Sequence, residues 1–261
     1  MRSVLLACLL LAACGQAATE WPASPCHQQL FEQARFTICG PGDGKLRLVA
    51  AGRDEAPLRT FAAVASRIDA GQVAFAMNAG MFDEDGRPIG LAIADGQLLH
   101  AINLRDGGGN FHLKPNGVFV VRKSGAASIV TSEAFRPSPS IALASQSGPM
   151  LVIKGQINPK FDPDGESRFI RNGVGIAPDG KPIFVISNEV VSFGKLARFF
   201  RDELHARDAL YFDGSVSSLW DPATGRQDAG VPTGPMIVAL KAPALRRSGA
   251  SAPGRAGRAT P

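Results

Sequence analysis

A chain of 261 residues, 45% of them hydrophobic, is long enough for one large domain or two small ones and can bury an ordinary core. Its formal net charge of +5 is unevenly placed: Arg2 and the five basic residues of 241–261 carry six positive charges with no acid among them, so the rest is close to neutral. That remainder lacks a basic patch interleaved with aromatics, so nucleic-acid binding has no support.

The chain opens with a positive Arg2, an apolar run from Val4 to Leu11 too short to span a bilayer, and the string Leu11-Ala12-Ala13-Cys14. That string resembles the lipobox of bacterial lipoproteins, with residues 1–13 a signal peptide and Cys14 the acylated mature N-terminus. The expectation is a lipid anchor to a bacterial envelope membrane, facing the periplasm or exterior. The alternative is an ordinary cleaved signal with an incidental cysteine. Residues 14–25 read as a polar linker. Cys8 leaves with the signal, so Cys26 and Cys39 are the remaining pair, and an oxidising compartment favours a disulfide between them.

Strand-like runs follow: Leu46 to Ala51, Val73 to Met77, Leu91 to Ala94, Gln97 to Ile102, Val118 to Arg122 and Ser128 to Thr131. Met150 to Ile153, Val174 to Ala177, Ile183 to Ser187, Ala209 to Phe212 and Met236 to Leu240 continue the series. Asp85-Gly86, Asp95-Gly96 and Asp179-Gly180 supply turns. Leu58, Phe61, Val64, Ala65 and Ile68 share a helical face, as do Phe193, Leu196, Phe199, Phe200 and Leu204. A weaker helix is expected over Ser138 to Ser145. These elements predict one α+β domain over 26–240, a β-rich twisted sheet with a few packed helices, and no internal repeat. The Ala, Gly, Pro, Ser and Arg-rich tail 241–261 reads as disordered.

Four glycine-punctuated polar segments lie at strand ends, where a loop on a rigid strand presents chemistry. Asn78-Ala79-Gly80-Met81-Phe82 pairs an amide that reads hydroxyl or phosphate oxygens with a glycine that admits close approach. Asn110, His112 and Lys114 alternate before Asn116, so in extended chain they share one face. Ser147-Gly148 precedes Met150, and Arg168, Arg171 and Asn172 precede a further strand; a planar guanidinium suits phosphate. Asp213-Gly214-Ser215-Val216-Ser217 ends a buried strand in a carboxylate followed by small hydroxyls. A plain turn or a solvated charge is the alternative at each. Asp83 to Gly86 and Asp162 to Glu166 imitate calcium loops but misplace the glycine and lack the terminal Glu. His27, His100, His112 and His205 lack zinc spacing, and no serine-hydrolase elbow is present. No metal and no cofactor is expected.

Asn78 to Phe82, Asn110 to Gly117, Gln146 to Val152, Arg171 to Gly175 and Phe212 to Ser218, in this order, resemble the phosphodiester glycosidase family. Its members include the enzyme that uncovers mannose phosphate by removing N-acetylglucosamine; the match is nearest the family's bacterial exported branch. The resemblance spans about residues 45 to 240 and implies an α+β domain that hydrolyses a sugar-1-phosphodiester. Many members carry Asp-Gly-Gly-Gly-Ser where this chain has Asp213-Gly214-Ser215-Val216-Ser217.

On that resemblance, Asp213 is expected as nucleophile or base, Arg171 on phosphate, and Asn78 as the orienting group. Glu189, just past a strand, is the first candidate for a second carboxylate. Gly80, Phe82, Asn110, His112, Lys114, Asn116, Ser147, Gly148, Arg168, Asn172, Gly214, Ser215 and Ser217 are the expected substrate-binding set. Asp213→Asn and Arg171→Lys are both expected to leave the fold intact, because each alters a pocket more than a core. The rival reading is a non-catalytic envelope protein that binds a phosphate-containing glycan.

Overall fold

The computed structural model describes residues 24–52 and 54–242; Cys14 with its signal and linker, and the tail from 243 onward, lie outside the described residues. The described residues begin with a hairpin of β1 (Cys26–Phe31) and β2 (Ala34–Cys39), then β3 (Leu46–Val49), helix α1 (Phe61–Ala65) and β4 (Val73–Asn78). Next come β5 (Ala92–Ala94), β6 (Gln97–His100), β7 (Gly117–Arg122), β8 (Ala127–Thr131), β9 (Ile141–Ser147), β10 (Met150–Ile153) and β11 (Gln156–Ile157). The last part holds β12 (Asn172–Ile176), β13 (Pro182–Ser187), α2 (Phe193–Arg198), β14 (Ala209–Asp213), β15 (Leu219–Asp221), β16 (Arg226–Gln227) and β17 (Met236–Leu240).

The described residues form three antiparallel sheets. The largest runs β1-β2-β13-β12-β14-β10-β11, and two five-stranded sheets run β16-β15-β4-β17-β3 and β6-β5-β9-β7-β8. Strand period explains how they pack. In β14, Leu210 and Phe212 point into the central core with Phe75, Met77, Phe119, Leu143 and Phe184 from all three sheets. Ala209 and Tyr211 point the other way, against Leu196, Phe199 and Phe200 of α2 and the π-helical turn Phe199–Glu203 that follows it. Phe184 is the centre of the aromatic packing, 5.4 Å from Phe75 and 5.8 Å from Phe119. On the far side of β4, Phe61 and Val64 of α1 pack on Trp220 and Val238.

Sequence and structure part in three places. Ser138 to Ser145 is no helix: Ile141–Ser147 is a central strand between β5 and β7. Its alanines favour a helix, but strand partners on both sides satisfy its backbone, and tertiary context overrides so weak a propensity. The β1–β2 hairpin was not expected, because its turn is Glu32-Gln33, both at positive φ (44° and 64°), with no Gly or Asn to announce it. The helix expected between Pro57 and Gly71 is only Phe61–Ala65, capped by Thr60 Oγ1, which accepts from Ala63 N at 3.1 Å. The expected disulfide is present: Cys26 and Cys39 face each other across β1 and β2 and are bonded. No helix among the described residues is long and apolar enough to cross a membrane.

Candidate active site

The ends of β4, β12 and β14 meet where the central sheet faces the sheet containing β4. Asn78 closes β4 and is buried. Asn172, opposite Asp213 in the ladder, donates its Nδ2 to the Asn78 carbonyl at 2.8 Å and to Asn78 Oδ1 at 3.0 Å. Ser218 N donates to the same Oδ1 at 2.8 Å. Two donors on Oδ1 fix the amide orientation and leave Asn78 Nδ2 buried with no partner among the described residues. An unmade buried donor costs about 1–3 kcal/mol, so this amide is the group of the cluster with a hydrogen bond still to give.

Asp213 ends β14 beside this amide pair. Its Oδ1 accepts from Ser215 N at 2.6 Å and Val216 N at 2.9 Å, while Oδ2 has no protein partner among the described residues. Ser217 Oγ lies 2.9 Å from the Asp213 carbonyl and 3.1 Å from Asn172 Oδ1, tying the loop to the amide pair. Ser147 Oγ donates to the Phe212 carbonyl at 3.1 Å, which holds the strand immediately before Asp213. The carboxylate is therefore fixed through one oxygen and open through the other, as a nucleophile or base requires.

Arg171 sits differently from expectation. It is fully buried, and its guanidinium serves the protein: Nε donates to the Val191 carbonyl at 2.9 Å, Nη1 to Tyr211 Oη at 3.0 Å, and Nη2 to Ser167 O and Oγ at 2.9 and 3.0 Å. Its Cζ lies 3.7 Å from the Phe193 ring centroid and 5.3 Å from that of Phe169. Of five N–H groups one is left, so a bidentate grip on phosphate is not available, and the residue belongs to the core more than to a pocket wall. Burial pulls the Arg171 pKa down, opposed by Tyr211 and Asp213. Tyr211 shows the reverse: burial pushes its phenol pKa up, with Arg171 opposing.

The family model for phosphodiester glycosidases matches residues 71–238, which contain every part of this cluster. The chain belongs to the phosphodiester glycosidase family. YigE of Escherichia coli (strain K12), described as an uncharacterized protein, is 43% identical over 150 residues, which are 58% of this chain and 59% of YigE. The chain thus spans little more than half the length of that curated relative. The zebrafish N-acetylglucosamine-1-phosphodiester alpha-N-acetylglucosaminidase catalytic domain, auto-inhibited by its pro-peptide, superposes with a TM-score of 0.58 at 15% identity, covering 84% of this chain and 82% of that one. A hypothetical protein from Synechocystis superposes at 0.52, also with 15% identity, over 83% and 61% of the two chains. At these identities the likeness is one of fold.

Other expected residues of this phosphodiester glycosidase domain divide by location. Gly80, at φ +88°, has the left-handed backbone glycine favours, and a Cβ there would stand 2.6 Å from Ser145 Oγ. Phe82 packs against Gly234 with Arg59 over its ring, a structural position. Gly148 lets Asn116 pack closely, a Cβ meeting Asn116 Cβ at 2.5 Å, while Asn116 Nδ2 donates to the Phe111 carbonyl. Asn110–His112 is a 3-10 turn and not extended chain, so Asn110, His112 and Lys114 do not share a strand face. His112 Nδ1 meets the Arg105 carbonyl at 3.0 Å. Lys114 Nζ is 2.7 Å from Asp106 and donates to the Leu104 carbonyl. Both fasten the 104–107 segment instead of presenting charge to phosphate.

Glu189 is turned to β2, 3.0 Å from Arg35 Nη2 and accepting from Arg35 N, so it does not join Asp213. Arg168 is exposed and has no ion-pair partner among the described residues. Asp83 and Asp162 each accept a backbone N–H in an ordinary turn, from Arg87 and Asp164. Two participants were not among the expected site residues: Ser218, which lies inside the Phe212 to Ser218 motif and fixes the Asn78 amide, and Tyr211, the single tyrosine of the chain. Tyr211 stands two residues before Asp213 on the same strand, a spacing that places both on one face and was available as a signal. The loop departure from the family pattern is also explained. A Cβ at Gly214 would overlap the Tyr211 hydroxyl, whereas Ser215 and Val216 have no left-handed backbone and need only their N–H groups.

Proposed function

We propose that the protein hydrolyses the glycosidic bond of a sugar-1-phosphodiester in an envelope or extracellular glycan. The observation that carries this reading is the unpartnered, buried Nδ2 of Asn78 held in one hydrogen-bonded cluster with the open oxygen of Asp213. A donor without an acceptor beside a carboxylate without a second partner suits a substrate whose oxygen meets the first while its anomeric carbon meets the second.

The leaving group is a phosphate monoester, already a weak base, so a strong general acid matters less than for an ordinary acetal. That agrees with a cluster holding one carboxylate, Glu189 being engaged elsewhere. Asp213 acts as nucleophile or as base towards water, while Asn78 Nδ2 holds an oxygen of the sugar or phosphate. Arg171, through Tyr211 and the loop at Gly214, positions this group and does not grip the phosphate with its fork. With Cys14 acylated, the domain works outside the cytoplasm on the face of an envelope membrane.

Turnover of an activated sugar-1-phosphodiester tests the reading. Asp213→Asn preserves shape and should lose at least about 10²-fold in rate, the lower range for acid–base catalysis, with thermal unfolding unchanged. A folded Asp213→Asn with full activity would sink the mechanism. Wild type inert across a broad panel yet binding phosphoglycans would favour the binding-protein reading.

A further inference from the structure

We propose that the cavity between the Gly214–Ser218 loop and the end of β13 is a saccharide subsite that takes a neutral sugar ring. Because it names the sugar-binding part of the proposed hydrolase, this subsite rests on that reading. The cavity measures about 690 Å³, within the range of small-molecule sites. Three large apolar side chains left in solvent converge on it: Phe169 (47% exposed), Val190 (56%) and Val231 (56%). Scattered exposed hydrophobics need no explanation, but three around one polar-floored cavity do.

The floor fixes the chemistry of the occupant. Its cation is Arg226, and that charge is already matched: Nε and Nη2 meet the two oxygens of Asp228 at 3.0 and 2.9 Å. The remaining Nη1 reaches Thr37 Oγ1 at 3.2 Å and Asn188 Oδ1 at 3.3 Å. A phosphate entering here would meet a neutralised guanidinium and the Asp228 carboxylate, so an anion is disfavoured. Asn188 Oδ1 takes donors from Thr37 and Arg226, which leaves its Nδ2 as a donor on the cavity wall, and the Ser215 hydroxyl, without a partner among the described residues, lines the same cavity. Neutral donors on an orienting floor beneath an apolar, aromatic rim complement a pyranose, which has hydroxyl edges and an apolar C–H face. The loop that bounds the cavity holds Asp213 Oδ1 through Ser215 N and Val216 N, so a ring seated here lies against the loop of the proposed reacting centre.

Ligand-observed NMR with methyl glycosides of the common hexoses and N-acetylhexosamines tests the subsite without turnover. At least one glycoside should bind wild type, with affinity falling about tenfold or more in Phe169→Ala and in Val231→Lys but not in the distant exposed Leu98→Ala. Both cavity positions are already exposed, and thermal unfolding checks that the variants fold. A sugar-1-phosphate methyl diester carries only the glycone ring; a Phe169→Ala effect on it assigns the ring to the glycone, and an effect confined to substrates with a sugar aglycone assigns it there. No glycoside bound, or binding unchanged in both variants, overturns the subsite. Binding lost in the variants while no diester is hydrolysed leaves the subsite and removes the hydrolase reading. Hydrolysis with a KM indifferent to Phe169→Ala does the opposite.

Discussion

Arg171→Lys separates a buried structural guanidinium from a phosphate clamp. The guanidinium makes four hydrogen bonds, to Val191 O, Tyr211 Oη and both oxygens of Ser167, and lies on the Phe193 ring at 3.7 Å. Lysine keeps the charge on one nitrogen and cannot reach three directions at once. The Val191 carbonyl keeps a bond from Phe169 N at 3.2 Å, so the buried Tyr211 hydroxyl is the acceptor left unpaired, at about 1–3 kcal/mol. Weaker cation–π contact with Phe193 adds up to about 2 kcal/mol. The expected destabilisation is about 1–5 kcal/mol, against the roughly 5–15 kcal/mol that holds a domain folded. Urea unfolding of both proteins at neutral pH measures it, with the m-value showing whether the transition remains two-state. A change below about 0.5 kcal/mol, as for an ordinary surface substitution, together with lost turnover, would refute the structural assignment and restore the phosphate clamp.

Gly214→Ala should lower stability by about 1–3 kcal/mol, because its Cβ overlaps the Tyr211 hydroxyl; a neutral effect in thermal unfolding would show that the loop moves freely. Cys26→Ser should cost about 3 kcal/mol on the chain-entropy model for a loop of this size, and the same loss should follow from reducing wild type; identical unfolding curves with and without reductant would contradict it. Cys14→Ser should move the protein from the membrane to the soluble fraction, and retention through the same acyl modification would remove the lipid-anchor proposal.

The strands were legible because apolar runs of strand length between Asp-Gly turns have few other uses; β5 and β6 around Asp95-Gly96 are an example. The β1–β2 hairpin was not, since its turn residues take positive φ against their own preference and the ladder with β13 sustains them. Site residues at strand ends were legible by type: Asn78, Asn172, Asp213 and Ser217 do converge. Charge was the poor guide. Arg171, Lys114 and Glu189 each looked like machinery in the sequence, and each has its charge engaged by partners far along the chain or by its own turn. A sequence shows which groups carry charge but not whether folding has already supplied the partner.

That distinction changes what a phosphate would meet at the cluster. In the proposed reaction, a cation committed to the core acts at fixed distance through Tyr211 and need not reorganise. Direct contact would fall instead to neutral amides whose geometry is set from two sheets at once. Asn172, on β12 of the central sheet, and Ser218, beside β15 in the sheet of β4, both donate to Asn78, and Met77 and Leu219, next to Asn78 and Ser218, are buried in the central core. The spacing between the open oxygen of Asp213 and the free donor of Asn78 is therefore fixed by how the central sheet packs on the sheet of β4. Trimming Phe212 or Met77 in that core would move the two groups relative to each other without touching either.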